Sequence, residues 1–187
     1  MTVIYLDTET GGTEPHHPTI ELGAVAVDSG TRVELASFEQ CIVFDPDKCD
    51  PEALKLNHYD PERWREAVWP DVAARQFAQW LQPYRAVPMV SKRTGRSYDV
   101  ARMFAYNVPF DQPRVKTMFG ETTFMPCEML WRDVLQAVLF YFDKTPAKPL
   151  NYKLSTVAKH FGLSIDGAHG ALADARLCAR VWEEICR

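Results

Sequence analysis

Leu6-Asp7-Thr8-Glu9-Thr10-Gly11-Gly12 closes the first apolar run of the chain, Val3 to Leu6, and sets two acids two residues apart at its end. On an extended chain residues i and i+2 point to the same side, so Asp7 and Glu9 stand side by side if the run is a strand. Adjacent carboxylates repel, and burial at the end of a core strand raises the cost of their ionised forms further. A divalent cation, which takes hard carboxylate oxygens as ligands, is the simplest partner that relieves both penalties. A solvated strand end is the other reading of the same pair.

The pattern can be followed outward from there. Ile20 to Val27 (IELGAVAV) reads as a second strand, Asp28-Ser29-Gly30-Thr31 as a turn, and Arg32 to Phe44 as a third strand. Short connections imply an antiparallel meander. After Asp45-Pro46 the character becomes helical. Asp71 is placed to cap a helix carrying Ala73, Phe77, Trp80, Leu81 and Tyr84 at three- and four-residue spacing. Lys92, Arg93 and Arg96 surround Gly95 in a hairpin or loop, and Lys92 to Tyr98 reads as a basic guide for a strand backbone or as a solvated hairpin. Arg102 to Tyr106 is a strand ending at Asn107, and Pro109 and Pro113 bracket the opening of the next helix, where proline is tolerated. Thr123 to Pro126 reads as a strand, followed by a helix with Trp131, Val134, Leu135, Val138 and Phe142. Tyr152 to Phe161 is a helix that Gly162 ends, and the last helix runs from Ala171 to Ile185. Strands first, then alternating helix and strand, give an α/β fold. Its sheet is mixed and five-stranded, an antiparallel meander then parallel strands, flanked by helices. No repeat, low-complexity tract or linker divides residues 1–187, so one domain is expected.

Composition narrows the class. Hydrophobic residues at 47% and charged residues at 25% describe an ordinary globule. No apolar run approaches the length of a bilayer span, and the start lacks a basic region followed by a long apolar stretch, so neither a membrane anchor nor a secretory signal is expected. Cys41, Cys49, Cys127, Cys178 and Cys186 form no Cys-x-x-Cys pair, and an odd count favours reduced thiols in a cytoplasm. A net charge of −4 is a poor electrostatic footprint for long duplex DNA. Two divalent cations would add four positive charges and bring the sum to zero.

Further acids and a histidine invite the same question as Asp7 and Glu9. Asp174 shares a helical stripe with Cys178, Val181 and Ile185, so it faces the core side of its helix. A lone buried carboxylate is costly; Asp174 either pairs with Arg176 or Arg180 or reaches a shared metal. His169 precedes it by five residues, about 140° away on a continuous helix. Flanked by Gly167 and Gly170, it reads as a loop histidine, exposed or facing the same cavity. In Asn107-Val108-Pro109-Phe110-Asp111 the polar ends are turn and cap residues or part of that cavity.

Together these segments carry a resemblance. Asp7-Thr8-Glu9-Thr10-Gly11 resembles the first motif of the DEDDh exonuclease family, Asn107 to Asp111 the second, and His169-Gly170-Ala171-Leu172-Ala173-Asp174 the third, in the family's order. The chain is similar to the proofreading exonuclease subunit of bacterial replicative DNA polymerases and to ribonuclease T-like trimming enzymes. The resemblance implies a ribonuclease H-like exonuclease fold and two divalent metal ions, Mg2+ or Mn2+. It implies metal ligation by Asp7, Glu9, Asp111 and Asp174, with His169 as general base. It implies 3′→5′ hydrolysis of single-stranded DNA or RNA from the 3′ end, with release of nucleoside 5′-monophosphates. Thr10 and Gly11 match positions whose backbone contacts the terminal nucleotide, and His58 in LNHYDPE resembles a histidine that contacts it. Phe110 either stacks on a base or supports Asp111 from the core. A homodimer, a polymerase or trimming complex, and a stand-alone enzyme are all compatible with the resemblance. The absence of a long C-terminal tail favours the last. A nucleic-acid-binding module that has lost catalysis is the rival reading.

Overall fold

Alternation decides which way each strand faces, and it divides the core in two. The computed structural model describes residues 1–120, 124–165 and 170–187. Strand β1 (Thr2–Thr10) pairs antiparallel with β2 (Thr19–Asp28), which pairs antiparallel with β3 (Glu34–Cys41). The even residues Ile4 and Leu6 of β1 join Leu22, Ala24 and Ala26 of β2 in one buried cluster. The odd residues Val3 and Tyr5 join Val25 and Val27 in the other.

Helices cover both faces. A short helix α1 (Pro51–Leu56) precedes α2 (Pro70–Trp80), which sets Ala73, Ala74 and Phe77 into the first cluster. A hairpin, β4 (Val87–Val90) with β5 (Ser97–Val100), carries Lys92, Arg93 and Arg96 at its tip. It leads into β6 (Met103–Ala105), parallel to β1. Because the two strands run the same way, the hairpin joins the sheet at the end remote from Asp7 and Glu9. Helix α3 (Val108–Phe119) returns over the first cluster through Val115, Met118 and Phe119. Strand β7 (Arg132–Asp133) adds parallel to β6, and α4 (Val134–Asp143), α5 (Leu154–His160) and α6 (Ala171–Ile185) cover the opposite face. The sheet order is β3-β2-β1-β6-β7, the expected mixed five-stranded sheet with an antiparallel half and a parallel half. Among the described residues no helix is long and apolar enough to cross a membrane.

Several boundaries differ from expectation, each for a local reason. The last strand is Arg132–Asp133; Phe124 to Pro126 has no strand structure, and Thr123 lies outside the described residues. Trp131 precedes α4 because Asp133 caps that helix, accepting from the Gln136 amide at 3.3 Å. Asp71 does not cap α2, which starts at Pro70 with Trp69 before it; Asp71 instead pairs with Arg75. Pro113 lies inside α3, beyond the opening turn where proline costs nothing.

The turn from β6 into α3 rests on Asn107, whose φ of 72° lies in the left-handed region. Asn is among the few residues that visit this region without large cost. Asp133 also accepts from the amides of Asn107 and Val108, at 3.3 and 3.2 Å, so one carboxylate fixes the starts of α3 and α4. Asn107→Val should lower stability by about 1–2 kcal/mol, the penalty for a β-carbon in left-handed backbone, whereas Asn107→Gly should leave the urea midpoint nearly unchanged. Equal midpoints for the two variants would show that the left-handed turn does not matter.

Candidate active site

The odd-residue face of β1 does not stop at Tyr5. Its parity carries Asp7 and Glu9 to the same side of the sheet, against α6. Helix α6 contributes Asp174 from its first turn. One carboxylate oxygen from each of Asp7, Glu9 and Asp174 lies within 4.8 Å of the others, and all three residues are half-buried. Arg176 instead grips Glu34 through two nitrogens, and Arg180 donates to the Ser164 carbonyl. Asp174 therefore joins the acids of β1.

Gly23 makes that meeting possible. It pairs with Asp7 across β1 and β2, and the start of α6 lies directly on it. A β-carbon at Gly23 would stand 2.1 Å from the Leu172 amide nitrogen and 2.2 Å from the Ala171 carbonyl carbon. Those atoms are backbone and cannot swing aside. The sequence holds a signal for this, since an isolated glycine inside a strand marks a close backbone approach.

Asp111 arrives from the other face, in the first turn of α3, and is almost completely buried. Its Oδ1 accepts from the Thr8 amide at 3.0 Å and from the Thr8 hydroxyl at 2.7 Å. It is thus locked to β1 between Asp7 and Glu9, beside the triad. Glu21, directly opposite Glu9 in the pairing, is fully buried. Its Oε1 accepts from Arg63 at 2.7 Å, and Arg63 also reaches Glu39 at 3.1 Å. The other oxygen of Glu21 has no hydrogen-bond partner among the described residues. Thr8 lies inside the first motif without a role assigned from sequence, and Glu21 and Arg63 belong to no motif there.

This crowding of acids away from water shifts their titration. Burial pushes Asp7 well above the usual carboxylate range, and the charges of Asp111, Glu9 and Asp174 add to it. Burial raises Glu9 to about 7, helped by Asp174, Glu21 and Asp111 and opposed by Arg63. Burial also brings Asp111 to about 7, against the hydrogen bonds from Thr8 and the charge of Arg114. A set of hard oxygen donors held toward their neutral forms by mutual repulsion is what a divalent cation reverses. The residues present fit such an ion, with Asp7, Glu9 and Asp174 able to hold it.

The remaining candidates divide. His169 lies outside the described residues. His58 is exposed with φ 50°, and its neighbour Asn57 is buried and donates to the Thr10 carbonyl at 2.8 Å, which docks this segment on the end of β1. Thr10 is buried and its hydroxyl donates to the Gly12 carbonyl. The Gly11 amide donates to the Pro18 carbonyl, and its own carbonyl accepts from the Asp50 amide. The close approach that Gly11 permits is to Cys49, whose sulfur would lie 2.3 Å from an added β-carbon. Phe110 belongs to neither core cluster; it is half-buried, with the Arg114 guanidinium 3.6 Å above its ring.

No family model and no curated protein matches the chain in sequence. Solved structures do match it in shape. Cell-death related nuclease 4 (CRN-4) superposes with a TM-score of 0.76 at 16% identity, over 99% of this chain and 63% of that one. The nuclease domain of 3′hExo, a DEDDh family member, bound to rAMP, gives 0.74 at 14% identity, over 99% and 91%. E. coli Exonuclease I in complex with a dT13 oligonucleotide gives 0.72 at 16% identity, over 98% and 40%. The chain thus spans less than two thirds of the first and third of these proteins. At such identities the likeness establishes the fold, which is the ribonuclease H-like one of DEDDh-type exonucleases.

Two measurements test the site's construction. Gly23→Ala should displace the start of α6 and weaken Mn2+ binding about 10–100-fold, the range for loss of a group that orients metal ligands, with helix content retained. Unchanged affinity by calorimetry would mean that Gly23 does not place Asp174. The pH dependence follows from the raised carboxyls. The unfolded chain loses the Glu9 proton near its ordinary value of 4.5, while the folded chain keeps it to about 7. Between these values the folded state binds more protons, so metal-free stability should fall as pH rises from 4.5 through 7. Saturating Mn2+ should raise the thermal midpoint more at about pH 8 than at about pH 5. The opposite slope would contradict the assigned repulsion.

Proposed function

We propose that this chain is a metal-dependent 3′→5′ exonuclease that removes nucleotides singly from the 3′ end of single-stranded DNA or RNA. The observation that carries the reading is the convergence of Asp7, Glu9 and Asp174 within 4.8 Å at one end of β1, with Asp111 locked beside them. Asp7, Glu9 and Asp174 would hold one divalent ion, and Asp7 with Asp111, through water, a second. When bound, such a pair activates water and offsets charge on the leaving oxygen.

The side chains divide the remaining work. His169 is the general base that takes a proton from the attacking water; an ordinary histidine titrates near about pH 6.5, suited to transfer near neutrality. Water oxygen bonds to phosphorus, the bond from phosphorus to the 3′ oxygen breaks, and that oxygen takes up a proton. The products are a nucleoside 5′-monophosphate and a strand one nucleotide shorter. The bound rAMP in the 3′hExo domain and the bound oligonucleotide in Exonuclease I support this class of ligand. As the resemblance implies, Thr10 and Gly11 would face the terminal nucleotide and His58 would contact it, and the exposed part of the Phe110 ring offers a base-stacking surface. A narrow metal cleft would require the last base to be unpaired, which favours single strands.

A strand labelled at its 5′ end, as DNA and as RNA, tests this with Mg2+, Mn2+ or chelator. We expect a metal-dependent ladder shortening from the 3′ end, lost in Asp7→Ala while the fold persists. His169→Ala should keep metal affinity and lose turnover by about 10²–10⁴-fold, the usual contribution of a general base. Cleavage by Asp7→Ala at the wild-type rate would sink the reading. Parallel loss of metal binding in His169→Ala would recast the histidine as a ligand.

A further inference from the structure

Beside the acidic centre lie two cavities of about 230 and 340 Å3. They share Pro15, Arg114 and Thr117, and so lie side by side along a furrow between α3 and the loop that follows Gly11, with Arg114 reaching across from Phe110 to Thr13. The smaller is walled by prolines and lined by His16 and His17; the larger reaches Asn107 and Phe110, next to Asp111. Among the described residues no carboxylate lines either one, although the chain carries 25 acids against 21 lysines and arginines. The cavities flanking α6 differ: one includes Glu34, Asp174 and Glu183, another Asp28 and Glu183.

The furrow's donors are poorly balanced by the protein itself. Arg114 is half-buried and forms no salt bridge among the described residues. Its terminal nitrogens go to the carbonyls of Phe110 and Thr13, at 2.7 and 3.1 Å, and its Nε is buried with no hydrogen-bond partner among the described residues. His17 accepts the Glu14 amide on Nδ1 at 3.1 Å, which leaves its proton on Nε2, a donor. The exposed His16 ring lies 4.3 Å from it. A guanidinium that feels the Asp111 charge but forms no salt bridge, imidazole donors, a hydroxyl and rigid apolar walls suit a chain that alternates anionic groups with flat apolar ones.

We infer that this furrow holds the phosphodiester backbone of the strand upstream of the terminal nucleotide, with the phosphates toward Arg114, His16 and His17. The inference rests on the exonuclease reading and deepens it, because it gives the enzyme a length preference. A dinucleotide without a 5′ phosphate, TpT, has one phosphate, which the metal site takes; a longer strand has further phosphates for the furrow.

Thr117→Glu tests this. Thr117 is exposed and lines both cavities, so the variant puts a carboxylate into the furrow without disturbing the core. With a twelve-nucleotide oligothymidylate we expect KM to rise about tenfold with kcat unchanged. The salt slope of binding should shrink by about 0.7 for each phosphate that the furrow no longer neutralises. With TpT the ratio of variant to wild-type KM should stay near one. His16→Ala should act in the same direction, more weakly. Equal ratios at both lengths overturn the furrow while leaving the exonuclease reading in place. If wild-type protein hydrolyses neither substrate, the exonuclease reading has failed. Fluorescence anisotropy of the labelled twelve-nucleotide strand then still decides the furrow, because equal affinities for wild type and Thr117→Glu would dismiss it.

Discussion

Mutual repulsion among carboxylates withdrawn from water governs this molecule. Two unit charges 4 Å apart interact by about 1 kcal/mol in water and about 4 kcal/mol at the effective dielectric of a protein's outer interior. Asp7, Glu9, Asp174 and Asp111 lie in the second regime, so the fold has to hold them together against a force that solvent does not screen. It does so with parts that cannot yield. Strand parity fixes Asp7 and Glu9, backbone contact over Gly23 fixes the start of α6, and two hydrogen bonds from Thr8 fix Asp111. Each of these restraints acts on or next to backbone, so relaxation of a side chain alone does not dissolve the cluster.

The same logic explains what surrounds the cluster. Arg63 directs its charge to Glu21 and Glu39 behind Glu9, so it moderates the repulsion without entering the site. A cation placed among the four acids would compete with a divalent ion; one placed behind them lowers the cost of assembly and leaves the opening clear. Asp133 plays a comparable part for the backbone. By accepting from Asn107, Val108 and Gln136 it sets the first turn of α3, and with it Asp111, relative to the parallel half of the sheet.

The sheet and the triad are legible in the sequence because each rests on a short-range rule. Short apolar runs, Val3 to Leu6 and Ile20 to Val27, mark β1 and β2, and strand parity puts Asp7 beside Glu9. The stripe of Asp174 with Cys178 and Val181 points that acid inward. What escapes depends on contacts between distant segments. The role of Gly23 requires knowing that α6 crosses β2, and Glu21 looks like an ordinary polar position until Arg63 is brought to it from 42 residues away. The last strand is hidden because two residues, Arg132 and Asp133, leave no periodic trace, while Phe124 to Pro126 has the composition of a strand but meets the sheet only at its end, where the Pro126 carbonyl accepts from the Ala101 amide. Phe110 has a chemistry that suits the core as readily as a base. Its half-exposed place follows from Arg114 covering one face, a pairing that sequence spacing allows but does not require.

On the exonuclease reading proposed above, an acidic protein would have to hold a polyanion, and its surface would have to be divided by sign. Uniform distribution of a net charge of −4 would repel the substrate at every approach. Here Asp7, Glu9 and Asp174 gather negative charge at the end of β1, where bound cations would invert the local field. No carboxylate lines the adjoining furrow among the described residues, and its guanidinium forms no salt bridge there, although Asp111 one helical turn away acts on it through its charge. Long-range attraction is then weak, and the strand is held only where its 3′ end meets both features together. Such an arrangement would favour ends over interiors, because only a free end could bring one phosphate to the metal ligands and the next toward Arg114. On this argument the acidity of the chain is itself part of its specificity, since a basic surface would bind the interior of every strand and dilute the enzyme away from the ends.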